Sequence, residues 1–333
     1  MKKILFLLSI VLMANSCVMK REQDVHQTQR NNVIKVKDKI HAIDLGEVLV
    51  GSRGLLVVAD NYLVLGDMKT LMKTIHVFDK NTFTHLASTG QFGPGPNEIT
   101  GLGNVVWNPN EREIYAIDHG KSIIYAYQID SVVSNANYNP YIKMKMDLTT
   151  FPAKIEYICD TMSFCRVITP TSPSTFTESS GIINLVTGAV KTLKYTHPDV
   201  NEERKSINIA ISKSDGIYAE CHWNSDLISL FDFNGALISN IIGPNDTDNK
   251  LTNYTRCAFT KKYLVAAYNG KEYKKFEPTL LCFLFSKRGE YLATLDVGYN
   301  IMELCYDESN DRLIFWFDDD IQIGYLNLKD IDL

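Results

Sequence analysis

The chain lacks the features that would announce a function locally. It has no CxxC pair and no Cys/His metal spacing. It has no G-x-S-x-G elbow, HExxH helix or P-loop, so no familiar catalytic framework is written into a short segment. Basic charge is not in surplus: 34 Lys and Arg stand against 39 Asp and Glu, a formal charge of −5. No Lys/Arg cluster interleaved with aromatics occurs, which argues against a nucleic-acid partner. The apolar run Ile4–Met13 is too short to cross a bilayer as a helix. No amphipathic helix of convincing length stands out either.

What is present is strand. Hydrophobic residues make up 45% and charged residues 22%, ordinary for a globular protein. Seventeen Tyr and fifteen Phe suit pleated surfaces. Six stretches repeat one pattern: a short β-run, a polar turn, then a second β-run. The first runs begin at Tyr62, Ile114, Phe164, Ile217, Tyr263 and Leu313, separated by 52, 50, 53, 46 and 50 residues. An all-strand period of about 40–50 residues predicts propeller blades rather than a sandwich or a β-helix. Each unit divides into strands A to D. Thr187-Gly188, Asn234-Gly235 and Arg288-Gly289 mark tight C–D hairpins. The sixth unit reads as A near Ile301–Tyr306, B at Leu313–Phe317 and C at Ile321–Leu328, with no D strand before Leu333. A spare β-like segment, Ile40–Leu45, precedes the first unit and is expected to supply it. The predicted fold is thus all-β: a six-bladed β-propeller with four-stranded blades, closed by an N-terminal strand that leaves no open edge.

The N-terminus reads differently. Lys2 and Lys3, the apolar run and Ala14-Asn15-Ser16-Cys17 resemble a bacterial lipobox, in which Cys17 is lipidated. The expected organisation is residues 1–16 as lipoprotein signal peptide, 17–38 as lipidated Cys and flexible polar tether, and 39–333 as propeller. Six further cysteines remain. Cys159 and Cys165 flank a short turn and are the one pair placed to meet across a hairpin.

One segment carries a family resemblance. Gly90-Gln91-Phe92-Gly93-Pro94-Gly95-Pro96-Asn97-Glu98-Ile99 resembles the G-x-GPGxxEF-like stretch after the first blade of TolB-like, six-bladed propeller lipoproteins of Bacteroidetes. Asp60-Asn61-Tyr62-Leu63-Val64, followed by Ile75-His76-Val77-Phe78-Asp79, also looks like that family's first blade. Ile99 departs from the pattern, where an aromatic is more usual. The resemblance covers about residues 40–333 and the signal, and implies an outer-membrane propeller with no established reaction. Physically, glycines and prolines force a sharp path between blades, and Glu98 is placed to cap its backbone N–H groups.

Strand parity locates the expected site. B–C turns and D–A connections share one rim, which carries the longer polar loops and is where function is expected. The ligand-binding candidates there are Glu98, His119, His222, Trp223, Asn224 and Asp318. Asp67, Asp118, Asp226, Asn269, Lys271, Glu272, Gln91, His197, Asn245, Asp246 and Asp248 share that rim. For each Asp or Asn the bland alternative is a turn residue bonding its own backbone. Trp223 beside polar groups suits stacking on a sugar or peptide. Asp318-Asp319-Asp320 could contribute oxygen ligands to Ca²⁺, and no other cofactor is expected. The functional expectation is a membrane-anchored binding or scaffold module for a peptide, a glycan or a membrane protein. The alternative is a hydrolase or lyase with a metal or His-based site at the channel mouth. The family resemblance implies the outer membrane. Lys20-Arg21-Glu22 lacks the acidic run that would suggest surface export, so the periplasmic side is the default.

Overall fold

Alternating apolar residues dictate six four-stranded antiparallel sheets. The computed structural model describes residues 23–135, 137–147, 149–172, 175–245 and 250–331. Blade one is Gly54–Ala59, Tyr62–Asp67, Lys73–Asp79 and His85–Gln91. Blade two is Leu102–Asn108, Glu113–Asp118, Ile123–Gln128 and Tyr141–Lys145. A short helix, Ile129–Ser134, precedes its last strand, and the Gln128 side chain caps it by accepting from Ser131 N. Blade three is Phe151–Cys159, Met162–Ser172, Thr175–Ile183 and Val190–Thr192. Blade four is Ile207–Ser212, Ile217–His222, Leu227–Asp232 and Leu237–Ile242. Blade five is Leu251–Phe259, Tyr263–Glu272, Leu281–Ser286 and Tyr291–Asp296. Blade six has Ile301–Asp307, Arg312–Phe317 and Ile323–Asn327, and its fourth strand is His41–Ala42. His41 pairs with Tyr325 and Ala42 with Gly324, and Ile43 N donates to Ile323 O at 2.9 Å.

The C–D hairpins are made as their sequences require. Gly188, Gly235 and Gly289 all take positive φ, at 79°, 85° and 96°. Such backbone is cheap for glycine and costly for a branched residue.

The innermost strands of successive blades touch in cyclic order around a central channel. The core is divided into six apolar clusters, one between each pair of neighbours. The seam between blades three and four is the least apolar. Its fully buried hydrophobics are Phe164, Tyr218 and Phe231, and the Tyr218 ring centre lies 4.7 Å from that of Phe164 and 4.8 Å from that of Phe231. Beside them sits a buried ion pair, Lys205 Nζ to Glu220 Oε2 at 2.8 Å, with Ser180 Oγ donating to the other oxygen of Glu220.

The N-terminal segment departs from the expected free tether. From Asp24 onward it lies against the ring as a belt. Asp24–His26 adds in parallel to the outer strand of blade four, and Val33–Lys35 adds in parallel to that of blade five. Polar composition concealed this. A three-residue strand on a sheet edge is held by backbone hydrogen bonds, and these leave little side-chain periodicity to read. Cys17 lies outside the described residues.

Cys159 and Cys165, the pair placed to meet across a hairpin, are not joined. All six described cysteines are free thiols. The register sets Ile155 opposite Cys165 and Met162 opposite Cys159, so the two sulfurs are not cross-strand neighbours.

Candidate functional site

The rim of B–C turns and D–A connections is built mainly from spent carboxylates. Asp118 is fully buried and accepts from the backbone N–H groups of Thr100, Gly101 and Gly120, each at 2.9 Å. Asp67 does the same for Gly51 at 2.9 Å and Lys69 at 2.8 Å. Asp319 accepts from Asn300 N at 3.2 Å, and Asp318 N donates to Asn300 O at 3.0 Å. In each of these three blades, an Asp of the B–C turn ties down the chain that leads into the blade's own innermost strand. Among the described residues no group of three or more His, Cys, Asp or Glu is arranged to hold a metal. Asp246 and Asp248 lie outside the described residues.

Glu98 is a cap. Its Oε2 accepts from Gly95 N at 2.7 Å, and side chains at Gly93 or Gly95 would collide with its carboxylate. Lys121 Nζ donates to the carbonyls of Gly95 and Glu98, and Tyr125 OH donates to Pro96 O at 2.8 Å. The glycine- and proline-rich segment is therefore riveted onto blade two.

The candidate histidines are not brought together. His119, His222 and Asp318 belong to blades two, four and six. His119 packs edge-on against Phe151 with Nε2 buried and unpartnered. Burial, then the Arg166 cation, push its imidazole below the usual range. His222 is 1% exposed, with Nε2 4.0 Å from Glu220 Oε2. Burial, then Lys205 and His197, hold it well below the ordinary value. Trp223 and Asn224 are half-buried beside it; Trp223 N donates to Ser206 O and its carbonyl accepts from Asn253 N.

The open space lies elsewhere. A cavity of about 570 Å³ is lined by all six innermost strands. It is lined by central residues of the strands in blades one to three and by the last residues of those in blades four and five, together with Lys213, Ser214, Lys261 and Glu308 of the A–B turns. None of its lining comes from the B–C turns. It therefore sits toward the rim opposite the one the loop lengths favoured. Alternation explains its charge. Ile155 and Tyr157 enter the apolar core between blades two and three, so Lys154 and Glu156 face the channel. Lys154 Nζ lies 3.0 Å from Glu156 Oε1 and donates to Ile209 O at 3.1 Å. Across the channel, Arg256 Nε meets Glu303 Oε2 at 2.9 Å. Lys213 makes no ion pair among the described residues; its ammonium lies 5.3 Å from the centre of the Tyr157 ring. Burial lowers its pKa, with the Glu156 and Cys159 charges opposing. The sequence did carry a signal for this set, since Lys154-Ile155-Glu156-Tyr157 alternates charge with bulk in an innermost strand.

Several solved structures share this architecture. A luciferin-regenerating enzyme superposes with a TM-score of 0.57 at 11% identity, over 87% of this chain and 95% of that one. Regucalcin from Agrobacterium tumefaciens, described as a calcium-binding protein, gives 0.57 at 9% identity over 89% and 95%. The WD40 repeats of RRP9 give 0.56 at 10% identity over 90% and 99%. The likeness is one of fold. At such identities nothing of those proteins' activities carries over. No protein-family model and no curated protein matches the chain.

Proposed function

We propose that the protein is a lipid-anchored binding module, of the TolB-like propeller lipoprotein kind, whose ligand enters the central cavity from the A–B rim. The observation that carries this is the cavity lined by every blade, in which charged side chains are held at fixed positions. A rigid ring that presents two ion pairs and, in Lys213, a lysine with no ion pair among the described residues suits a small polar ligand bearing a carboxylate, such as a peptide terminus or an acidic sugar. Lys213 is the expected counter-ion, because the Glu156 charge and the Tyr157 ring only partly offset its desolvation.

Thermal-shift screening against amino acids, short peptides and uronic acids tests the site. Carboxylate-bearing hits are expected to weaken about tenfold or more in Lys213→Ala and to persist in His119→Ala. Hits that survive every substitution in the lining but vanish in Trp223→Ala would move the site to the other rim. Anchoring is tested separately. Cys17→Ala is expected to shift the protein from the membrane to the soluble fraction, and retention in the membrane would refute the lipid anchor.

A further inference from the structure

The belt crosses between blades four and five on an arginine. The Arg30 side chain is 5% exposed and the Asp226 side chain 0%. Arg30 Nη1 lies 2.7 Å from Asp226 Oδ1, and Arg30 Nε donates to Gln27 Oε1 at 2.8 Å. The guanidinium plane rests among aromatic rings: its carbon is 4.6 Å from the centre of Phe283, 5.7 Å from Phe285 and 5.8 Å from Tyr268. Tyr254 OH donates to the same Asp226 oxygen at 2.7 Å, which fixes the carboxylate. Gly243 leaves room for that carboxylate, since a side chain there would collide with it.

Every wall of this cage except Gln27 comes from the ring, and the cation comes from a segment joined to the ring by edge-strand pairing, by side-chain hydrogen bonds from Gln27 and Asn32, and by Val36 in the core between blades five and six. A delocalised, weakly hydrated planar cation between aromatic faces and one carboxylate is the chemistry that selects guanidinium over ammonium. We infer that blades four and five build a guanidinium receptor, and that the N-terminal segment is fastened to the ring as its ligand in cis. The class of ligand is an arginine side chain on an extended segment. The site is separate from the central cavity and stands whether or not that cavity binds anything.

The test uses the full chain with Arg30→Ala, which empties the cage and leaves Asp226 buried without its cation. The probe is n-propylguanidinium, with n-propylammonium at equal ionic strength as control. The variant is expected to melt below the wild type and to gain about 2–4 °C, saturably, with the guanidinium. The ammonium is expected to give less than half of that, and the wild type, already filled, to respond to neither. Equal responses to both cations, or none in a folded variant, would overturn the inference. If Arg30→Ala does not fold alone, refolding yield in the presence of each cation replaces the melting curve. Recovery with the guanidinium only supports the receptor; equal recovery or no recovery refutes it.

Discussion

Single buried polar residues do most of the fastening in this ring, and their costs are open to measurement. Asp118 satisfies several backbone donors that would otherwise be orphaned in a buried connection. Asp118→Ala is therefore expected to cost about 2–4 kcal/mol in urea unfolding, whereas Asp318→Ala, at an exposed position, should cost less than about 0.5. His76 sets a pH dependence. Burial pushes its imidazole down to about 4, against the pull of the Asp67 charge, and its Nε2 has no partner. In the unfolded chain the ring titrates near 6.5. Above that value it is neutral in both states and contributes nothing. Between roughly 6.5 and 4 the unfolded chain takes up a proton that the folded ring refuses, so stability falls as the pH falls. The slope is about 1.4 kcal/mol per pH unit at most for this one group, with His119 and His222 displaced in the same direction. Melting curves from pH 7 to pH 5 should show the loss, and His76→Gln should flatten it. A curve unchanged by that substitution would remove His76 as the cause.

Among the elements, the seam between blades three and four is the place to expect early opening. It replaces much of the apolar packing of the other seams with Lys205, Glu220 and Ser180. A buried pair contributes little net stability, yet losing one member is expensive. Lys205→Met is expected to destabilise by about 3–5 kcal/mol, and adding Glu220→Leu to recover most of it. Hydrogen exchange at Ile207 N, which donates to Glu178 across this seam, should be faster than at inner-strand amides of blades five and six. Strands of this kind were legible from the sequence because their side chains alternate and their hairpins carry an X-Gly pair. The belt was not, since its pairing runs through backbone groups that any residue supplies. The cavity charges were legible in principle at Lys154 and Glu156, but loop length drew attention to the opposite rim.

For the whole molecule, the period of the strands identifies a ring before any coordinate is known, and the same period hides the site. A ring repeats its turns, so Asp residues recur at B–C turns for the same structural reason, and a binding residue among them carries no separate mark. The cavity emerges only when six inner strands are set side by side. Closure also fixes an order of events. His41 and Ala42 meet their partners Tyr325 and Gly324 only once blade six exists. The earlier segment must wait, unpaired, until the strands of blade six have been synthesised, so sealing follows the making of the other five blades. A chain stalled before the last blade would carry several unsatisfied sheet edges at once, a state that quality-control proteases and neighbouring unfinished chains can both recognise.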